Sequence, residues 1–199
     1  MDEYFHSLGL GARVCQYVSC ECDFLLTERV RGEDCTATVY LSEPRRLAEL
    51  LGVTLRELHS LSHSGCPVPD RTADYIRTVR EGYFTGRYDP SYLIRGLPTG
   101  LEEAYRYFEG GAKELRADTL LHGDFCLPNV ILDGWRLSGF IDLGCGGVGD
   151  RHIDLFWGEW TLEYNLGTPE YGKYFLDAYG RNRFDRELLG VISAAECFG

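Results

Sequence analysis

Apolar and polar positions fall into blocks along the chain, and these blocks predict a short strand-rich start followed by a mostly helical body. Two runs rich in β-forming residues, 12–18 and 24–30, predict strands joined by a turn. After a polar break at 31–34, leucines recur at spacings of three and four over 47–61. This stripe is typical of a helix packed on a core, and a serine and a proline at 42–44 predict its start.

The remaining pattern predicts further helices with one irregular interruption. Residues 71–83, 101–108 and 150–164 have helical patterns, and two more helices are predicted beyond residue 168. The segment 84–100 contains three glycines and two prolines between aromatic residues. Irregular segments of this kind often line binding sites. The fold class predicted from these blocks is α+β.

One hairpin is predicted with particular clarity, within residues 120–144. Its apolar arms are 130–132 and 137–141. The dipeptide Asp133-Gly134 between them suits the positive φ angles of a tight turn. The arms are therefore expected to pair as antiparallel strands, so that the residues flanking them meet at the open end of the hairpin.

Three polar side chains flank this hairpin among apolar neighbours: Asp124, Asn129 and Asp142. Each acid taken alone is explained more simply as a turn cap or a strand end. Together, an acid on a loop with an amide and a second acid at the hairpin mouth suit phosphoryl transfer. Asp124 would orient and deprotonate a hydroxyl, while Asn129 and Asp142 would supply hard oxygen ligands to Mg²⁺.

Composition narrows the class of partner. The 199 residues suit one moderate domain or two small lobes, and 44% apolar content is that of a globular protein. A formal net charge of −11 argues against nucleic acid or an anionic membrane and favours a cationic small molecule. No secretory signal or membrane-spanning run is recognised, and the eight cysteines form no CxxC pair. We therefore expect a cytoplasmic protein with reduced thiols.

His59 and His63 lie four residues apart near the predicted end of the leucine-rich helix. That spacing would allow both rings to share a metal. The better explanation is that they lie at a helix C-terminus, where the helix dipole favours a cationic side chain.

The strings HGDFCLPN at 122–129 and GFIDLG at 139–144 resemble the aminoglycoside 3′-phosphotransferases, a family with a protein-kinase-like fold. The pattern HGDxxxxN with a downstream DxG is specific when both halves occur in this order across a hairpin. Residues 150–154 are similar to the start of the next helix in that family, and 196–198 to its acidic-aromatic ending. The resemblance implies a mostly helical C-terminal lobe that carries a catalytic β-hairpin.

The resemblance also implies roles for single residues. Asp124 would be the catalytic aspartate, and Asn129 and Asp142 would hold Mg²⁺ against the phosphates of ATP. The second predicted strand resembles the hinge between lobes, where the Glu28 carbonyl and the Val30 amide would bind adenine. His122, beside Asp124, would brace the loop.

A polycationic substrate needs carboxylates around it, since each ammonium group gains from a nearby anion. Glu196 matches the family position for this role, and Phe198 is assigned to the substrate site with it. Glu163 and Asp89 are assigned by location alone. For these two acids, a solvated surface position is an equally good explanation.

The front of the chain departs from the family pattern, which opens with a strand-rich lobe holding a phosphate-binding lysine. No lysine precedes Lys113, and the basic residues ahead of the hinge reduce to Arg13. We therefore expect 1–31 to be a remnant of a truncated N-terminal lobe with its hinge, and 32–199 to be the helical C-terminal lobe. Apolar surface left uncovered at the remnant predicts self-association.

Three functional hypotheses follow. The first is an antibiotic-resistance kinase that transfers a phosphoryl group from ATP to an aminoglycoside hydroxyl, with activity impaired by the lost lysine. The second is a catalytically inactive protein of the same fold that binds a cationic ligand or a partner. The third is a kinase for another small hydroxylated molecule, which the CLPN loop and the chain ending disfavour.

Overall fold

The structure is a computed structural model that describes residues 1–199. Its α+β fold combines short strands with helices, numbered in chain order. The helices are α1 (Asp2–Ser7), α2 (Thr38–Leu41), α3 (Pro44–Leu58), α4 (Arg71–Phe84), α5 (Leu101–Ala112), α6 (His152–Leu166), α7 (Gly172–Tyr179) and α8 (Arg186–Glu196). The strands are β1 (Val14–Ser19), β2 (Asp23–Thr27), β3 (Glu33–Asp34), β4 (Thr119–Leu121), β5 (Val130–Asp133), β6 (Arg136–Phe140) and β7 (Gly147–Gly149).

The strands form three small antiparallel sheets: β1 with β2, β3 with β5 and β6, and β4 with β7. The three-stranded sheet contains the predicted hairpin, β5–β6. Val130 pairs with Phe140, and the Ile141 N–H donates to the carbonyl of Asn129 at 3.1 Å. The chain therefore returns to the level of Asn129 just before it reaches Asp142.

The turn of this hairpin is shifted by one residue from its predicted place. Asp133 pairs with Arg136, so the two turn residues are Gly134 and Trp135, with φ angles of +54° and +67°. Positive φ at both positions is the geometry of the tight turns that match strand twist. Trp135 adopts it while its ring packs edge-on against Tyr40 at 5.0 Å between centroids. Sequence propensity alone does not anticipate a tryptophan at such a position.

The leucine stripe of α3 forms one wall of the main core, as its periodicity predicted. α3 lies along α7, and at Gly52 the approach is so close that a Cβ would overlap the carbonyl oxygen of Phe175. Leu61 was predicted to continue the stripe, but α3 ends earlier and Leu61 is 38% exposed. The leucines of the stripe that are fully buried are Leu47, Leu51, Leu55 and Leu58.

The start of the chain packs on the β5–β6 hairpin. Phe5 of α1 is fully buried and meets Phe140 edge-on, with ring centroids 6.1 Å apart. The Phe140 N–H donates to the carbonyl of Leu10 at 2.7 Å. Residues before 31 thus contribute to the main core, and the predicted boundary at that point stays a prediction.

The β1–β2 hairpin contributes little to any core, because nearly all of its side chains are exposed. β2 ends at Thr27, so residues 28–30, predicted to belong to the strand, continue as irregular chain. None of the helices combines the length and the apolar character needed to cross a membrane. The large apolar side chains exposed on the hairpin are Tyr17, Val18, Phe24, Leu25 and Leu26.

Candidate active site

Asp124 and Asn129 lie in direct contact on the loop between β4 and β5. The loop closes with a single 3₁₀ turn, Leu127–Asn129, in which Pro128 supplies a preset φ angle. The side-chain amide of Asn129 donates to the carboxylate of Asp124 at 2.9 Å and to its backbone carbonyl at 3.0 Å. The buried amide therefore fixes the half-buried acid, and the carbonyl oxygen of that amide keeps its lone pairs for another partner.

Asp142 lies at the other side of the hairpin mouth, with its side chain exposed. Its backbone is left-handed, with φ +57° and ψ +57°, which is uncommon for a residue other than glycine. The turn that follows packs on residues 122–129, the predicted catalytic loop, because a Cβ at Gly123 would overlap the carbonyl oxygen of Cys145. The hairpin and this contact bring the acid, the amide and the second acid to one edge of the molecule.

His122 links the two sides of the site, as its predicted bracing role requires. Its Nε2–H donates to the carbonyl of Ile141 at 3.0 Å, and its Nδ1 accepts from the Asp124 N–H at 3.3 Å. Burial lowers the pKa of this ring despite nearby acids, which act in the opposite direction. The neutral imidazole serves as a structural bridge between the catalytic loop and the strand that leads to Asp142.

Asp154 of α6 was not identified from the sequence, yet it holds the catalytic loop from behind. It is fully buried, and its two carboxylate oxygens accept the N–H groups of His122 at 2.8 Å and Gly123 at 2.7 Å. By accepting these two N–H groups, the carboxylate satisfies backbone donors that the loop would otherwise leave without a hydrogen-bond partner. The signal for it was present in the sequence, as a lone acid in the apolar run Ile153–Trp157.

His59 extends this support: it lies at the end of α3 as predicted, but as a buried ring and not as the cation that a helix dipole would favour. The residue does follow the end of α3, but its side chain is only 2% exposed. Its Nε2–H donates to Asp154 at 3.1 Å, and its Nδ1 accepts from the Tyr179 hydroxyl at 2.9 Å. Burial lowers the pKa of this ring, which favours the neutral form. His63 is exposed, and no three His, Cys, Asp or Glu side chains converge as a metal cage.

A cavity of about 340 Å³ opens over Asp124. Glu196 forms part of its wall, where the Tyr75 hydroxyl donates to a carboxylate oxygen at 2.7 Å. Burial raises the pKa of Glu196 to about 7, helped by the charge of Asp124 and opposed by hydrogen bonds from Tyr75 and Trp157. The residues that line the cavity are Arg71, Asp74, Tyr75, Thr78, Gly123, Asp124, Cys145, Ile153, Trp157 and Glu196.

Two of the predicted substrate acids lie outside this lining. Asp89 is exposed, and hydrogen bonds from the Ser91 side chain and from the Ser91 N–H, the latter at 2.9 Å, lower its pKa. Its own N–H donates to the Cys197 carbonyl at 2.8 Å, so it lies next to the residue that follows Glu196. Glu163 is exposed near the end of α6.

Phe198, predicted to contact the substrate, is fully buried in the second core cluster. Its ring packs among Tyr83, Tyr88 and Tyr105 at centroid distances of 5.5–5.9 Å. A Cβ at Gly82 would overlap its carbonyl oxygen, so helix α4 and the chain ending are in close contact. The structure therefore places Phe198 where it anchors the segment that carries Glu196.

Glu28 and Val30 lie on the irregular chain after β2. The Glu28 N–H donates to the Arg13 carbonyl at 2.8 Å, and the two side chains form an exposed ion pair at 2.7 Å. The Glu28 carbonyl and the Val30 amide take part in no backbone hydrogen bond. The side chain of Val30 lies over Gly139 of β6, which seats this segment at the hairpin.

The fold and the site define a class: the chain belongs to the phosphotransferase enzyme family, whose model matches residues 3–189. A probable aminoglycoside 3′-phosphotransferase from Lactococcus lactis is 44% identical over 200 residues, covering 100% of this chain and 76% of the relative. An aminoglycoside 3′-phosphotransferase from Streptomyces fradiae is 32% identical over 184 residues, covering 88% of this chain and 68% of that protein.

Solved structures agree on the kinase-like fold. The crystal structure of an aminoglycoside 3′-phosphotransferase of type VIII matches with a TM-score of 0.76 and 27% identity, over 100% of this chain and 77% of that one. A Streptomyces rimosus aminoglycoside phosphotransferase, solved in complex with ADP and streptomycin, matches with a TM-score of 0.78 and 22% identity, over 99% and 79% of the two chains.

Proposed function

We propose that this chain transfers the terminal phosphoryl group of ATP to a hydroxyl of an aminoglycoside. The observation that carries the proposal is the Asp124 carboxylate, fixed by the Asn129 amide at 2.9 Å beneath a cavity that Glu196 also lines. The curated relatives are named for the 3′-hydroxyl of such drugs, which makes that hydroxyl the first to test.

Asp124 acts on the acceptor. Its carboxylate accepts a hydrogen bond from the drug hydroxyl and aims the oxygen at the phosphorus, and it takes up the proton as the new O–P bond forms and the bond to ADP breaks. The Asn129 amide keeps the carboxylate in one orientation, so the reacting atoms meet without a search over rotamers. Positioning of this kind supplies much of the rate in phosphoryl transfer.

The residues present fit a magnesium ion. The amide of Asn129 directs its nitrogen to Asp124, which leaves its oxygen free, and Asp142 offers an exposed carboxylate at the same edge. Two hard oxygen donors without a complete protein cage suit Mg²⁺, which keeps other positions for phosphate and water. When bound, the ion would neutralise phosphate charge.

For the nucleotide, the free Glu28 carbonyl and Val30 amide are the proposed contacts of adenine. They lie on the segment that packs at β6, whose end leads to Asp142. ATP and Mg²⁺ are abundant in the cytoplasm, where we place the activity, and all eight cysteines are free thiols in the structure.

For the drug, Glu196 is the proposed primary anion, because it lines the cavity and Tyr75 holds it in place. Asp89 and Glu163 are exposed and would act as outer acids that attract the polycation over longer range. Phe198 would support the site indirectly, through the anchoring of the chain ending.

A second candidate, binding of a cationic ligand without catalysis, is favoured by one observation. Arg13, the basic residue ahead of the hinge segment, is already paired with Glu28 at 2.7 Å. It therefore offers little charge to a transferring phosphoryl group.

A coupled ADP-release assay with kanamycin separates the two candidates. We expect drug-dependent turnover that falls by about a hundredfold or more in Asp124→Asn, since that change removes the base and keeps the shape. Tobramycin, which lacks the 3′-hydroxyl, is the matched control and should bind without turnover. Calorimetric binding of kanamycin without turnover would instead support the non-catalytic candidate.

A further inference from the structure

Arg71 is the one cation among the side chains that line the Asp124 cavity. The acids of the lining are Asp74, Asp124 and Glu196. A cavity for a polycation gains from these acids, whereas a guanidinium repels the same ligand. The presence of Arg71 is therefore better explained by contacts within the protein than by contacts with the drug.

The backbone turn after Asp142 provides that role. The Nε–H of Arg71 donates to the Gly146 carbonyl at 3.1 Å, and one of its terminal nitrogens donates to Gly146 at 2.9 Å and to Gly144 at 3.2 Å. The nearest Asp74 oxygen is 3.9 Å away, beyond hydrogen-bond distance. The fork of donors that distinguishes arginine from lysine is thus directed at carbonyl oxygens.

The base of the Arg71 side chain is itself held in place. Arg71 is the first residue of α4, and Asp70 caps this helix by accepting the Ala73 N–H at 2.9 Å. Just ahead of it, the Val68 carbonyl accepts the N–H of Val148 in β7 at 2.8 Å. Helix and turn are therefore fixed to each other on both sides of the guanidinium.

The turn that Arg71 binds lies between the loop that carries Asp124 and the backbone of Asp142. The carbonyl of Cys145 fills the space beside Gly123, next to the catalytic aspartate. At the other end of the turn, Asp142 holds a left-handed backbone conformation. Aspartate adopts this conformation at a lower cost than most residues other than glycine, so packing of the turn that follows is enough to keep it there.

We infer that Arg71 is a positioning residue of the phosphoryl-transfer site, which clamps the turn Gly144–Gly146 against the catalytic loop and so fixes the backbone of Asp142. Its kinetic consequence rests on the proposed function. A loosened turn weakens the hold on Mg²⁺ and the nucleotide more than the hold on the drug, because the proposed drug anion Glu196 lies on another element, α8.

The first test is independent of activity. Amide hydrogen exchange across residues 143–149 is compared in the unaltered chain, Arg71→Ala and Arg71→Lys. We expect about tenfold faster exchange or more in Arg71→Ala and a partial return in Arg71→Lys, since an ammonium replaces some of the donors without the fork. Arg77→Ala is the matched control, because Arg77 lies on the same helix and pairs with Asp74 from an exposed position.

The second test is kinetic. In Arg71→Ala we expect kcat to fall about 10- to 100-fold, the loss typical of residues that support metal ligands, and the Mg²⁺ concentration for half-maximal rate to rise. The KM for kanamycin should stay the same or fall, because the substitution removes the one cation of the cavity lining. Added methylguanidine should restore part of the rate. A residue that only stabilised the fold would not shift the Mg²⁺ requirement or respond to methylguanidine.

The outcomes separate the two proposals. Absence of drug-dependent turnover in the unaltered chain overturns the proposed function and leaves the exchange experiment to decide the role of Arg71. Exchange in Arg71→Ala equal to that of the unaltered chain, or a rate loss with an unchanged Mg²⁺ requirement, overturns the inference. If Arg71→Ala does not fold, Arg71→Lys carries the same two measurements.

Discussion

The catalytic loop and the β1–β2 hairpin differ in how they are held. Behind the loop, Asp154, His59 and Tyr179 form a chain of hydrogen bonds of 2.7–3.1 Å, and no buried side-chain polar atom in the molecule lacks a partner. In the hairpin, nearly every side chain is exposed, including Phe24 at 61% and Leu26 at 59%.

This difference shows which side chains must be placed accurately. Phosphoryl transfer depends on carboxylates placed to within fractions of an ångström, and a buried, fully bonded network provides that. A two-stranded ribbon with both faces in water is marginal by itself. We therefore expect the two regions to respond very differently to substitution.

The largest effect should come from Asp154→Ala. The change removes the acceptor of two loop amides and of His59, and each orphaned buried donor costs about 1–3 kcal/mol. We expect a loss of about 3 kcal/mol or more in the free energy of unfolding, measured by urea denaturation, together with a severe loss of turnover. Asp118→Ala is the control, since that side chain is 53% exposed. An unchanged urea midpoint in Asp154→Ala would contradict the stabilising role of these hydrogen bonds.

His59→Leu should have a smaller effect of the same kind. It leaves the Tyr179 hydroxyl without its partner and removes one of the two donors to an Asp154 oxygen, at a cost of about 1–3 kcal/mol. Thermal unfolding measures it, with His63→Leu as the matched control because His63 is exposed and should change stability by less than about 0.5 kcal/mol. Equal effects of the two substitutions would show that the hydrogen bonds of His59 with Asp154 and Tyr179 add nothing to the stability of the fold.

The next effect in size should be a pH dependence of drug binding. The pKa of Glu196 is raised from the ordinary 4.5 to about 7, so the carboxylate that attracts the cation forms only as pH rises through 7. We expect the KM for kanamycin to rise as pH falls, approaching about tenfold per pH unit well below 7. Glu196→Gln should abolish this dependence, and a Gln variant that keeps it would exclude Glu196 as the titrating group.

The same group affects stability with a defined sign. Because its pKa is higher in the folded than in the unfolded chain, its contribution is fully present below about pH 4.5 and is lost as pH rises through about 7. The free energy of unfolding of Glu196→Gln should therefore fall less steeply over this window.

The smallest effect should follow from Leu26→Ser in the hairpin. Its side chain is already 59% exposed, so we expect a change in unfolding free energy within about 0.5 kcal/mol. Chemical denaturation measures it beside Leu55→Ala in the core, where about 2–5 kcal/mol is expected. A large effect of Leu26→Ser would mean that the hairpin surface is covered in solution. Self-association through this region remains a prediction, which light scattering of the two variants tests.

The sequence by itself determined what depends on neighbouring residues. The period of the leucines set the buried face of α3, and two apolar arms around a turn dipeptide set the hairpin. Asp124 and Asn129 are five residues apart with a proline between them, so local geometry nearly suffices to join them. The shifted turn at Trp135 shows the limit even of this reasoning, because a packed ring supports an unfavourable backbone conformation.

Only the tertiary structure decided how the site is supported. Arg71 meets Gly146 across 75 positions, His59 meets Asp154 across 95, and Tyr75 meets Glu196 across 121. No periodicity or motif spacing encodes such contacts, because they depend on how whole helices pack and on which polar groups are then left to satisfy one another. The residues proposed to carry the chemistry were therefore identified from the chain, whereas those that hold them in place emerged from the fold.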